Sequence, residues 1–286
     1  MKHLLYILGV TGILYACDTT GVKTDEDKQE PKSDLLKGDP KQDDPAISNT
    51  SEVEDEVKLK NGIVIKWFEH GEGEQVKDFD MLKIDYKVKL NNGEIIDGNH
   101  LLKKPSMLFM VGFGMQTPGW DIALKELRIG DQVEIFIPAK LARGEQEVPG
   151  LFPANSDNNL TIRILEKAKP SREVEGNRVW IFEENTKNKL KFDEGREIEF
   201  HAMAFSPSNP LYLNTFRENQ PFKMKLEDYG LVPGLKKSLI NAKKADRMYV
   251  FVPASEAYGS KGYLDLVKPN EPILYNIMVM DVTTNP

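Results

Sequence analysis

The stretch "IFIPAKLARG", Ile135 to Gly144, returns as "VFVPASEAYG", Val250 to Gly259. Each copy sets an apolar strand before a proline, then a polar turn, then an Arg or Tyr ahead of a glycine. Pro253 follows Pro138 by 115 positions, and the same offset separates Pro233 from Pro118 and Tyr258 from Arg143. A spacing held at three landmarks marks a duplicated domain. Two copies are too few for a stacked solenoid, so each must bury a core of its own.

Working outward, "GIVIKWFEHG" and "LKIDYKVKL" alternate as strands do, and Asn92-Gly93 in "NNGEIID" marks a tight turn between strands. "PGWDIALKELRIGD" reads as one short helix, with Asp121 near its start and Gly130 after its end. Trp120, Ala123, Leu124 and Leu127 fall on one helical face. "QVEIFIPA" and "LTIRILE" return to strand patterning. The second copy repeats the order: strands in "NRVWIFEE" and "REIEFHAMAF", a short helix in "PGLKKSLINAK", then strands in "RMYVFVPA" and "ILYNIMVMDV". Each copy is therefore α+β, an antiparallel β-sheet wrapped on one short α-helix. The two domains are expected over residues 57–168 and 172–286, divided at the polar "KAKPSREVEG".

The opening "MKHLLYILGVTGILYAC" has a lysine, a short apolar run and Ala16-Cys17. That is the layout of a signal peptide over 1–16, too short to span a bilayer. Cys17 is the chain's only cysteine, so it has no internal disulfide partner. "LYAC" resembles a bacterial lipobox, which makes Cys17 a lipidation site. An ordinary signal peptide with an incidental cysteine is the alternative. Residues 17–56 are acidic, Pro-punctuated and poor in aromatics, the composition of a disordered tether. The net charge of −7 argues against nucleic acid as a partner. His3, His70, His100 and His201 are scattered and form no metal set with a cysteine. "VGFGMQ" lacks the spacing of a dinucleotide fingerprint. No cofactor is expected.

"GEIIDG", "VGFGMQTPGWDIAL" and "IFIPAKLARG", with "LVPGLKKSL", "VFVPASEAYG" and "VKPNEPILYNI", together resemble the FKBP-type peptidyl-prolyl cis–trans isomerase family. The resemblance covers both copies. It implies two FKBP-like domains, each with a shallow aromatic pocket between sheet and helix, acting on proline-containing unfolded or extended polypeptides. With the lipobox and tether, the chain resembles a lipid-anchored lipoprotein of the bacterial cell envelope, on the periplasmic side of the outer membrane, that assists protein folding there.

Carried over position by position, the resemblance makes Tyr86, Asp97 and Trp120 the catalytic set of the first domain. The Tyr86 hydroxyl would pair with Asp97, and Trp120 would form the pocket floor. Around them Ile96, Met107, Gln116, Thr117, Arg143, Phe152 and Ile162 are expected to bind substrate. Ile96, Met107, Gln116, Thr117 and Arg143 depart from the family's usual residues. Arg143 replaces a tyrosine and is expected to pair with Asp97 or a neighbouring carboxylate, partly closing the pocket. In the second domain Phe222, Leu231, Val232, Tyr258, Tyr263, Val267 and Tyr275 match substrate-binding positions. There Leu235 replaces the floor Trp, Phe200 the strand Tyr and Asn214 the Asp, with a small insertion expected in "SPSNPLYLN". Weak isomerase activity, mainly in the first domain, is the expected function. A non-catalytic chaperone or a docking lipoprotein of an envelope assembly is the alternative.

Overall fold

The computed structural model describes residues 52–101 and 106–284. The expected signal segment 1–16, Cys17 and nearly all of the expected tether lie outside the described residues. The chain divides into two compact units, with the main boundary between Ala168 and Lys169.

The first unit contains β1 (Asp55–Lys58), β2 (Val64–Glu69), β3 (Met81–Leu90), β4 (Ile95–Gly98), β5 (Met107–Met110), the helix α1 (Pro118–Leu124), β6 (Gln132–Ile137) and β7 (Asn158–Lys167). All strand pairs are antiparallel, in the order β1-β2-β6-β7-β3-β4, with β5 also on β3. β1 begins inside the segment assigned to the tether: Asp55 and Glu56 pair with Trp67 and Lys66. The helix is about a turn shorter than its apolar pattern suggests. Leu127 is buried like Trp120, Ala123 and Leu124, but it has already left the helix. Its carbonyl accepts from Val76 N, and Ile129 N donates to Glu74 O. Pairing with the segment before β3 therefore replaces the last helical turn.

One buried carboxylate ties this crossing together. Asp131 accepts from Trp67 Nε1 at 3.0 Å, Gly71 N at 2.6 Å and Arg128 N at 2.9 Å. Gly119 serves a close approach: a Cβ there would run into Ile137 and the Leu141 carbonyl, so α1 can seat directly on β6.

The second unit repeats the plan with β8 (Arg172–Val174), β9 (Asn177–Glu183), β10 (Arg196–Ser206), β11 (Asn209–Asn214), α2 (Thr215–Glu218), β12 (Phe222–Lys225), α3 (Pro233–Leu239), β13 (Arg247–Val252) and β14 (Ile273–Thr284). The sheet order is β11-β10-β14-β13-β9-β8, with β12 on β10. Asp246 stands where Asp131 does, accepting from Asn185 N at 2.8 Å and Lys243 N at 2.9 Å. Arg172 donates to the carbonyls of Ser238 and Ile240, satisfying groups that the end of α3 leaves open.

Candidate functional site

In the first unit, β3 and β4 bring Tyr86 beside Asp97, and the Tyr86 hydroxyl donates to Asp97 Oδ1 at 3.2 Å. The same oxygen accepts from Gly98 N at 2.8 Å. Trp120 on α1 meets Tyr86 edge to face, with ring centroids 5.3 Å apart. Asp121 in the first turn of α1 accepts from Gly112 N at 2.8 Å, which holds the loop after β5 against the helix. The expected catalytic trio is thus one contiguous group. Loss of hydration raises the carboxyl of Asp97 above its usual range, against the pull of Gly98 N–H, the Tyr86 hydroxyl, Arg143 and His100.

Phe109 was not singled out from sequence, yet it stacks on Trp120 at 5.5 Å. It lies two residues beyond Met107 on β5, so both side chains share one face. That alternation was the signal available for it. Met107 is half-buried opposite Ile84, and Ile96 is buried on β4. Gln116 and Thr117 are half-buried in the turn before α1. Thr117 holds the N-cap position without capping through its side chain, and its hydroxyl is buried with no hydrogen-bond partner among the described residues. Ile162 is buried opposite Tyr86. Leu160 is the counterpart of Tyr275, because Ile135 pairs Leu160 as Val250 pairs Tyr275.

The expected Arg143–Asp97 ion pair is not formed. The guanidinium lies over the Phe152 ring, 5.1 Å from its centroid, and acts on Asp97 only through space. Phe152 is buried, and its loop is closed by reciprocal bonds with Val148 and by Asn155 N donating to Gly144 O at 2.6 Å. Partial burial lowers the Arg143 pKa, and Asp97 opposes that shift.

In the second unit the sequence-based matches on β10 and β11 need correction. Tyr86 pairs Ile162 in the first sheet, and Ala202 pairs Ile277 in the second. Ala202, not Phe200, therefore replaces the strand tyrosine; Phe200 corresponds to Ile84, and each is opposite the residue that begins the wall strand. Tyr86 N donates to Asn99 Oδ1 at 2.8 Å, and Ala202 N donates to Thr215 Oγ1 at 2.9 Å. With Val88 opposite Asp97 and Ala204 opposite Leu213, Leu213 stands in place of Asp97. Asn214 instead caps α2, accepting from Phe216 N and Arg217 N. The two hairpins share this spacing, so "SPSNPLYLN" contains no insertion.

The other second-domain residues gather as expected. Val232, Val267 and Tyr275 are buried, and Phe222, Leu231 and Tyr258 are partly buried against the same core, with Leu235 below them. Phe222 packs on Phe200 with centroids 5.7 Å apart. Tyr258 stacks on the more exposed Tyr263 at 4.5 Å. Tyr212, missed from sequence, joins them from β11, packed against the same core with its hydroxyl buried and, among the described residues, without a hydrogen-bond partner. Burial raises the pKa of Tyr212, Tyr258 and Tyr275. Unfolded tyrosines ionise near pH 10. Between that pH and the raised folded values the native state holds more protons, so stability present below about pH 10 falls as pH rises above it. Denaturation followed by Trp180 fluorescence should show the second domain weaker at pH 11 than at pH 9. An unchanged midpoint would contradict the burial of these hydroxyls.

The arrangement presents two sites of one architecture: a sheet, a helix floor and an aromatic loop. The model of the FKBP-type peptidyl-prolyl cis-trans isomerase family matches residues 72–165 and again 188–280. The Saccharomyces cerevisiae protein "FK506-binding protein 4" is 34% identical over 107 residues, 37% of this chain and 26% of that protein. A Saccharomyces cerevisiae "Peptidyl-prolyl cis-trans isomerase" is 36% identical over 107 residues, 37% of this chain and 25% of that protein. The chain thus spans about a quarter of the length of these curated relatives. The solved structure of the three FKBP domains of wheat FKBP73 is 20% identical, covers 79% of this chain and 97% of its own, and gives a TM-score of 0.39. The two family matches take in more than half of the sequence and one falls in each unit, so this chain belongs to the FKBP-type peptidyl-prolyl cis-trans isomerase family, with the domain present twice.

Proposed function

We propose that the first domain isomerises X–Pro bonds in unfolded or extended polypeptides, and that the second holds such clients with little turnover. The observation that carries this is the asymmetry of the two sites. Trp120, Tyr86 and Asp97 form one bonded and packed group, whereas Leu235, Ala202 and Leu213 occupy their places in the second domain. Rotation about a prolyl amide faces a barrier of roughly 18–20 kcal/mol because resonance is lost midway. The twisted amide is less polar than the planar one, so a dry aromatic site favours it over the ground state. Trp120 and Phe109 supply the apolar floor for the prolyl ring. The Arg143 guanidinium is a donor at the same site. Tyr86 and Asp97 hold each other and thereby fix one wall.

The second domain retains tyrosine hydroxyls and apolar walls, which suit binding, without the indole floor. A holding role there is the second reading this geometry favours. Anchoring through lipidated Cys17 in a bacterial envelope, with folding of envelope proteins as the task, is part of the proposal. It rests on the "LYAC" segment and the acidic stretch after it.

Exchange NMR on a proline tetrapeptide tests the catalytic reading directly. The full chain should broaden and exchange the cis and trans signals, and Tyr258→Phe should leave that rate unchanged. Absence of any enhancement, or its loss in Tyr258→Phe, would overturn the assignment to the first domain.

A further inference from the structure

Arg143 is unlike its surroundings. It is partly buried at the rim of an otherwise aromatic site, and its guanidinium rests on the face of Phe152. Among the described residues that guanidinium takes no hydrogen bond and no ion pair. Its five donors are fixed in a planar fork suited to a carboxylate. Asp97, the acid that acts on it, is already engaged by Tyr86 and Gly98. A cation that has lost part of its water and gained an aromatic face but no hydrogen-bond acceptor is an incomplete interaction, which a bound ligand can complete. The equivalent position in the second domain holds Tyr258, which is stacked on Tyr263 and has no charge to satisfy.

We propose that Arg143 sets the substrate preference of the first domain, selecting clients with an Asp or Glu flanking the proline that is turned. The inference rests on the catalytic reading above and names the substrate class of that same site. A bidentate guanidinium–carboxylate contact is stronger than one to a neutral carbonyl or amide. A client lysine at the same place meets repulsion, so discrimination has an attractive and a repulsive part. Three acids set against this preference are Asp97, Glu145 and Glu147. Asp97 is tied to β4 and Tyr86. Glu145 and Glu147 are exposed to solvent, where salt screens them over about 8 Å.

The test compares Ala-Glu-Pro-Phe, Ala-Gln-Pro-Phe and Ala-Lys-Pro-Phe, and the series with the variable residue after proline, by exchange NMR on the full chain. This needs no coupled protease with preferences of its own. In one of the two series kcat/KM should favour Glu over Gln by about threefold to tenfold and place Lys last. The Glu preference should shrink in high salt. Arg143→Gln should bring Glu and Gln to parity, read as the ratio of the two peptides whatever the absolute rate, and Arg143→Lys should restore part of the difference. Far-ultraviolet circular dichroism checks that each variant is folded. Parity of Glu and Gln in the native chain, or a preference that survives Arg143→Gln, overturns the proposal. Should no peptide be turned over, the catalytic reading fails. Titration of the Trp120 indole signal with the same peptides then decides the preference by affinity, and equal affinities overturn it.

Discussion

Trp120→Leu is expected to lower kcat/KM on a prolyl peptide by at least about tenfold and to cost the first domain about 2–3 kcal/mol of stability. The substitution places in the first domain the residue that the second domain already has at Leu235. It removes the indole that stacks on Phe109 and meets Tyr86 edge to face. Each such aromatic pair contributes about 0.5–1.5 kcal/mol beyond the area it buries. Turnover and stability must be read separately, since a half-unfolded domain would also lose activity. Trp120→Phe supplies that separation: it keeps an aromatic face toward the prolyl ring and should keep most of the turnover, although it also leaves a void. A folded Trp120→Leu protein with native kcat/KM would remove the indole from the mechanism.

Asp131→Ala should be the most damaging single change outside the site, about 3–5 kcal/mol against the first domain. Three N–H groups lose their acceptor together, from Trp67, Gly71 and Arg128, and the carboxylate and the indole that it holds are both buried. A buried donor left without a partner costs about 1–3 kcal/mol on its own. Asp131→Asn keeps one acceptor oxygen and should lose less. Asp246→Ala should act in the same direction on the second domain. Denaturant unfolding can be followed through Trp67 and Trp120 in one domain and Trp180 in the other, so the loss can be assigned. A shift under 1 kcal/mol for Asp131→Ala would show that the crossing does not depend on this carboxylate.

The duplicated plan was legible because the parts that repeat most faithfully are those with strict local needs. The proline before the loop, the Pro-Gly that opens the helix and the final strand all hold one offset. Legibility failed where the offset changes by one. From Ile84 to Asn99 the spacing between copies is one residue longer than at Pro118, and the matches to Phe200 and Asn214 fell on either side of it, two residues short of Ala202 and one beyond Leu213. The slip of one at Asn214 moves the side chain to the opposite face, the slip of two at Phe200 keeps it on the same face, and only pairing partners reveal either. The shortened helix has a similar cause. Leu127 continues the apolar period of α1, and periodicity alone does not show that Gln75 and Val76 will claim its backbone. Arg143 was placed correctly at the site, but its partner was not. Charge suggested Asp97, while the buried ring of Phe152, nine residues on in the same loop, takes the guanidinium. Phe109 and Tyr212 were passed over because neither stands in a recognised motif, although each alternates with a residue that does.

The sheet order has a consequence for synthesis on the ribosome. In the first domain β7, the last strand made, lies between β6 and β3. In the second, β14 lies between β13 and β10. Neither sheet can be joined until its final strand has left the exit tunnel, so each domain must complete its fold in one late step. Non-local antiparallel pairing of this kind folds slowly, over milliseconds to seconds. A nascent chain halted before residue 158 or 273 would hold two strand groups with unpaired edges facing each other's gap. The chain thus passes through an aggregation-prone interval twice, once for each domain.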